Sequence, residues 1–215
     1  MLALTVGLGA WQVQRLAWKT ALLTEIDRGE ALPAVPLSER PGAFRRVRVS
    51  GAFLPVSARY GTELRPLPTG ALIGSQVLGV LRRAGGAPIV VDRGWAPADA
   101  VVAMPPGTVE LEGYVRPADH AAWTSIGDVP GKGLFYTLDP AVIGAALGVP
   151  AVAPYTLVVL GPAARGTYPD PAATLPRPPN DHLIYAITWF GLAAVLVAVF
   201  AVYARQALRE RRMDA

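Results

Sequence analysis

Hydrophobic and polar positions follow three different rhythms along the chain. Leu183 to Ala204 is an unbroken run of 22 residues without a formal charge. At roughly 1.5 Å per residue it covers about the 30 Å hydrocarbon thickness of a bilayer, which predicts a transmembrane helix. Met1 to Ala10, "MLALTVGLGA", is just as apolar but supplies only about half of the roughly 20 residues a span requires. The stretch "LGAWQVQRLAWKTALL" continues helically beyond it, so this end reads as a first membrane helix, truncated or partial. Trp11, Arg15 and Trp18 lie at i, i+4 and i+7 there and share one face.

Between the two ends the period falls to two. "RRVRVSGAF" puts Val47, Val49, Gly51 and Phe53 on one side and Arg46, Arg48 and Ser50 on the other, the signature of a half-buried strand. Further strands are expected at residues 71–82, 88–92, 108–115, 133–138 and 155–160. Their regular spacing and the 21 prolines favour an antiparallel, barrel-like sheet over a doubly wound one. One helix interrupts them: Asp139 is placed to cap it, Pro140 suits its first turn and Gly148 its end. Residues 54–70 and 161–181 read as Pro-rich connectors. The fold class is therefore an α+β membrane protein, a mainly antiparallel barrel-like β domain with a short helix, flanked by an N-terminal and a C-terminal transmembrane helix. The expected division is 1–18 for the first membrane helix, 19–178 for an extracytoplasmic β-rich domain, 179–204 for the second transmembrane helix and 205–215 for a basic tail.

Charge orients this scheme. Arg205, Arg209, Arg211 and Arg212 follow the long apolar run, whereas Pro178, Pro179, Asn180 and Asp181 precede it. The positive-inside rule then places the tail in the cytoplasm and His182 at the opposite surface. The net charge of +4 is no nucleic-acid footprint, because half of the excess sits in that tail. The chain has no cysteine, which excludes disulfides, thiolate metal sites, iron–sulfur clusters and cysteine nucleophiles.

A search for catalytic patterns returns little. There is no G-x-S-x-G, H-E-x-x-H, P-loop or helix-opening G-x-G-x-x-G, and three scattered methionines do not make a copper cluster. Glu110 and Glu112 share one strand face and read as a solvated edge. "VVDRGWAP" suggests a structural turn at Asp92, Arg93, Gly94 and Trp95, in which Arg93 pairs with a carboxylate or stacks on an aromatic ring. The remaining candidate is His182. Tyr185 and Trp189 share its helical face, and an imidazole above an aromatic, lipid-accessible wall suits an axial ligand of haem iron. Trp11 is a further wall candidate, and Arg15 is suited to a haem propionate. The plainer alternative is an interfacial polar residue.

Taken in order, "LGAWQVQRLAWK", "VSGAFLP", "VVDRGWAP" and "PNDHLIYAITWFGLA" resemble the surfeit locus protein 1 family over nearly the whole chain. That family comprises non-enzymatic assembly factors of haem–copper terminal oxidases. The resemblance implies a multi-pass protein of the bacterial cytoplasmic membrane with its domain outside and both ends inside. It further implies a part in inserting haem a into oxidase subunit I, near haem A synthase. The family's N-x-H-L-x-Y-A-x-T-W motif falls on Asn180, His182, Tyr185, Thr188 and Trp189, with the haem-binding histidine at His182; its R-G-W element falls on Gly94 and Trp95. The competing expectation is a membrane-anchored scaffold for oxidase assembly that contacts proteins and holds no haem. The partners expected are oxidase subunit I, haem A synthase and the lipid bilayer, with no nucleic acid.

Overall fold

The computed structural model describes residues 1–67, 70–162 and 166–213. The chain divides into two compact units, one of Glu25–Pro176 and one combining Met1–Thr24 with Arg177–Ala215.

In the first unit the alternating run becomes the start of a long strand, β2 (Arg46–Leu67), preceded by the two-residue β1 (Val35–Pro36). It is followed by β3 (Gly70–Arg82), β4 (Ile89–Pro97), β5 (Thr108–Pro117), β6 (Leu134–Phe135) and, after a helix, β7 (Tyr155–Val159). β2 pairs antiparallel with β5 through its first seven residues and with β3 from Ala52 to Leu67. β3 pairs with β4, β4 runs parallel to β7, and β7 pairs with β5. The ladders thus close into a cycle, so that none of these five strands leaves both edges open. Val47, Val49, Leu81, Ile89, Val91, Val115 and Leu157 fill one cluster on the inner face. Leu78 and Val90, pointing the other way from the same strands, join Phe135, Leu138 and Ile143 in a second. β4 is consequently buried on both faces, which is why its sequence lacks the period-two pattern of β2.

Three expectations change. Residues 54–70 are not a connector: through Leu67 they continue β2, paired to β3, while 68–69 lie outside the described residues. The strand expected at 133–138 shrinks to Leu134–Phe135, because the chain turns at once into the cap of the helix. Glu112 is not on a solvated edge, since β5 is paired on both sides and Glu112 forms an ion pair with Arg46. Part of the 161–181 connector, residues 163–165, also falls outside the described residues.

The helix itself, α2 (Pro140–Ala146), is built as its caps dictate. The Asp139 carboxylate accepts hydrogen bonds from the backbone N–H groups of Ala141 and Val142, Pro140 occupies the first turn, and Gly148 adopts a φ of 74° just beyond the end. Replacing Asp139 with Ala is expected to lower domain stability by about 1 kcal/mol. A denaturant midpoint that does not move would show that the cap contributes nothing.

In the second unit, helix α3 (His182–Met213) carries the long apolar run. Among the described residues it is the helix long and apolar enough to cross a membrane. Most of its aliphatic side chains are exposed, whereas Ala186 and Ala193 are buried. The N-terminal helix, α1 (Leu2–Ala31), extends well past the apolar run and contributes residues to both units. Its buried positions in this unit are Thr5, Gly9 and Gln12, on one stripe. The Phe190 ring lies over Gly9, where a methyl group would sit 2.8 Å from two ring carbons.

Candidate functional site

His182 opens α3, and its ring is held from α1. Nδ1 lies 2.7 Å from Oε1 of Gln12, a side chain only 8% exposed. An amide oxygen only accepts, so with Oε1 facing it Nδ1 carries the hydrogen, and Nε2 is the nitrogen that the Gln12 contact leaves aside. The indole of Trp11 approaches the imidazole edge-on, with centroids 6.5 Å apart and planes at 84°. Asn180, two residues earlier, donates to the Thr20 hydroxyl at 3.4 Å. Oriented by Gln12 through Nδ1, the ring directs Nε2 away from that contact, the placement in which a neutral imidazole acts as a Lewis base toward an electrophile or metal centre.

Not every expected partner joins it. Arg15 sits over the Trp18 ring at 4.5 Å, a stacked position that accounts for its guanidinium without an anion. Tyr185 is exposed and Trp189 half-buried, and among the described residues the ring next to His182 is that of Trp11 rather than either of these. The reason is the helical face in use. α3 turns Ala186 and Ala193 inward, which carries Tyr185 and Trp189 to its flank. Gln12 had no role in the expected site, although it stands in the "LGAWQVQRLAWK" stretch that carries the family resemblance and seven positions after Thr5 on the stripe that becomes buried.

The Asp92–Trp95 element lies in the other unit and is not a turn. It lies within β4, where Gln76 pairs with Trp95 but Leu78 with Asp92, so β4 carries one extra residue. That is a β-bulge, and Gly94 takes it up with a φ of 118°. The Gly94 N–H donates to Oδ1 of Asp92 at 3.0 Å. Arg93 points outward, donates to the Ala103 carbonyl at 3.0 Å and stacks over Phe53, so it stacks on a ring, and among the described residues it pairs with no carboxylate. Trp95 is 2% exposed. Its backbone exchanges two hydrogen bonds with Asp170, at 2.8 and 2.7 Å, and its ring packs against Tyr168 and beneath the Arg65 guanidinium. Arg65 in turn pairs with Asp170 and Glu63. The bulge therefore clasps the segment that leads on toward α3.

Both the histidine-bearing stretch and the bulge lie inside residues 1–194, which match the family model described as "SURF1 family". The chain belongs to the SURF1 family. Relatives match most of this chain's length. A SURF1-like protein of Monosiga brevicollis is 27% identical over 94% of this chain and 84% of its own length. One of Rickettsia felis is 25% identical over 94% and 93%. Surfeit locus protein 1 of Xenopus tropicalis is 28% identical over 88% and 69%.

In this SURF1 family chain the bulge also holds, among the described residues, the carboxyl group whose titration departs most clearly from its ordinary range. Asp92 is buried, and loss of hydration pushes its pKa up to about 6, against the opposing pull of the Gly94 N–H, Arg116 and Arg65. Burial likewise pulls the Arg93 guanidinium down from its ordinary range. Among the described residues no group of three or more His, Asp or Glu side chains is arranged to hold a metal ion.

Proposed function

We propose that this protein is a membrane-anchored assembly factor of a haem–copper terminal oxidase that takes up haem a as cargo through His182 and passes it on toward oxidase subunit I. The observation that carries the reading is the Gln12–His182 hydrogen bond at 2.7 Å. It supports an imidazole locked in the tautomer that leaves Nε2 free, the arrangement in which metal-ligating histidines are held by a partner on the other nitrogen. A metal that depends on three or four protein ligands finds no such set among the described residues. Haem iron brings four nitrogens with it and asks the protein for one. The edge-on Trp11 ring offers the macrocycle an apolar neighbour, and a single axial ligand suits a carrier that must also release.

In this reading α3 crosses the bilayer with Arg205, Arg209, Arg211 and Arg212 on the cytoplasmic side. The β-rich domain and His182 then lie at the outer face, where haem A synthase and subunit I would be met. The protein handles its cargo without changing a covalent bond in it, so it is not an enzyme.

The test is the optical spectrum and pyridine-haemochrome content of detergent-purified protein co-expressed with haem A biosynthesis. Wild type is expected to carry haem a, His182→Ala to lose it while remaining folded, and Gln12→Leu to weaken retention by about 10- to 100-fold, as loss of a ligand-orienting partner does. A folded His182→Ala variant as coloured as wild type would remove histidine ligation. Colourless protein in every case would leave the domain as a scaffold that works through protein contacts.

A further inference from the structure

β2 and β3 do not stop where the core stops. Beyond the Glu63–Gly74 pair they continue as a two-stranded ribbon, with Leu64 opposite Ile73, Arg65 opposite Leu72 and Pro66 opposite Ala71. In β3 every residue from Gly70 to Ile73 is exposed, and every residue from Val77 to Leu81 is buried. The Leu64–Ile73 side of the ribbon stands away from the domain, whereas Arg65 on the other side reaches back to Trp95 and Asp170. Leu64 is 62% exposed, Ile73 60% and Leu72 41%. The cross-strand pair Leu64–Ile73 forms a continuous aliphatic patch rather than scattered single residues. The base is polar, with Glu63 bonded to Arg65 and Gln76. Between residues 64 and 73 the single formal charge is Arg65, with no acidic residue. Arg65 is engaged with Trp95, Glu63 and Asp170.

The domain that carries this ribbon cannot travel far from α3. Leu175 is buried in the domain, and only residues 176–181 separate it from the start of α3. Fully extended, that link reaches about 25 Å. A domain leashed so closely to a membrane-spanning helix spends its life beside a bilayer surface, where an aliphatic patch whose one neighbouring cation, Arg65, is already engaged on the domain finds apolar solvent without a protein partner.

We infer that the outer β2–β3 ribbon, residues 63–67 and 70–74, is a lipid-contact arm that brings Leu64, Leu72 and Ile73 to the bilayer interface. The inference rests on the reading of α3 as the membrane anchor, and the experiment separates the two. The chain has no cysteine, so Leu64→Cys, Ile73→Cys, Val101→Cys and Val195→Cys each give one site for a nitroxide label. Each labelled protein is placed in vesicles of phosphatidylethanolamine and phosphatidylglycerol, and its collision rates with oxygen and with a water-soluble nickel chelate are measured. Val101, 98% exposed on the domain, is the aqueous reference, and Val195 on α3 the lipid reference. The expected result is an oxygen-to-nickel ratio several-fold higher at positions 64 and 73 than at 101, with 195 higher still. Ratios at 64 and 73 equal to that at 101, with 195 oxygen-rich, would overturn the arm and leave the anchor standing. Protection at 64 and 73 from both reagents would also overturn it, in favour of a protein cover. A ratio at 195 no higher than at 101 would overturn the anchor and the arm with it.

Discussion

Gly94→Ala is expected to destabilise the β-rich domain by roughly 3 kcal/mol or more. Two costs add at this position. The backbone φ of 118° is one that a residue with a side chain rarely adopts. The methyl group itself would also fall 2.1 Å from the Asp170 carbonyl oxygen and 2.4 Å from its carbon, which are backbone atoms with no rotamer to move. Relief requires the 170–172 segment to shift away, breaking the paired Trp95–Asp170 hydrogen bonds and uncovering a Trp95 ring that Arg65 and Tyr168 now enclose. Gly61→Ala is the matched control. Its φ of 67° is also positive, but nothing lies within 4 Å of the added carbon, so it should cost only the conformational penalty of about 1 kcal/mol. Guanidinium midpoints of the two variants measure the difference. Equal shifts would mean that Gly94 serves the bulge's dihedral angle alone and that the clasp on Asp170 carries no weight.

What could be read in advance, and what could not, divides along physical lines. The β2 face of Val47, Val49 and Gly51 and the Asp139–Pro140 helix start were legible because their causes are local: a period of two, a side chain two residues from the N–H it caps. The distal half of β2 was not, since the strand outruns the core, its hydrophobic alternation lapses there, and its Pro and Gly content imitates a loop. The bulge in β4 has the same difficulty in another form. Asp92 and Gly94 announce a local hydrogen bond, but the extra residue is defined by the pairing with Gln76 and Leu78, and its purpose by Asp170. At the histidine, charge and aromaticity drew the eye to Trp11, Arg15 and Trp18 on one stripe of α1. Burial selected the neighbouring stripe of Thr5, Gly9 and Gln12, so that Trp11 at its border and Gln12 meet His182 while Arg15 remains on Trp18.

Asp92→Asn should remove most of the domain's stability change between about pH 4 and pH 6. The folded carboxyl titrates at about 6 against an ordinary 3.8, and burial is the chief cause. The sign follows from where protons are bound. Between those two values the folded protein holds a proton that the unfolded chain has released, so stability is greatest below the lower value and declines as pH rises through the higher one. At about 1.4 kcal/mol per unit, the penalty accumulated by pH 8 is about 3 kcal/mol. Asparagine keeps the oxygen that accepts from the Gly94 N–H but carries no charge to desolvate. The variant should therefore match wild type near pH 4 and exceed it by roughly 2 to 3 kcal/mol at pH 8. The attraction from Arg116 and Arg65 and the repulsion from Glu63 are already contained in the folded value of about 6, so they do not reverse this order. Guanidinium midpoints taken across that range for both proteins decide the matter. Parallel curves would show that the Asp92 carboxylate is solvated or paired at neutral pH after all. A steeper fall in wild type alone would establish that the bulge holds an acid group at a standing cost, offset by the clasp it makes with the segment leading to α3.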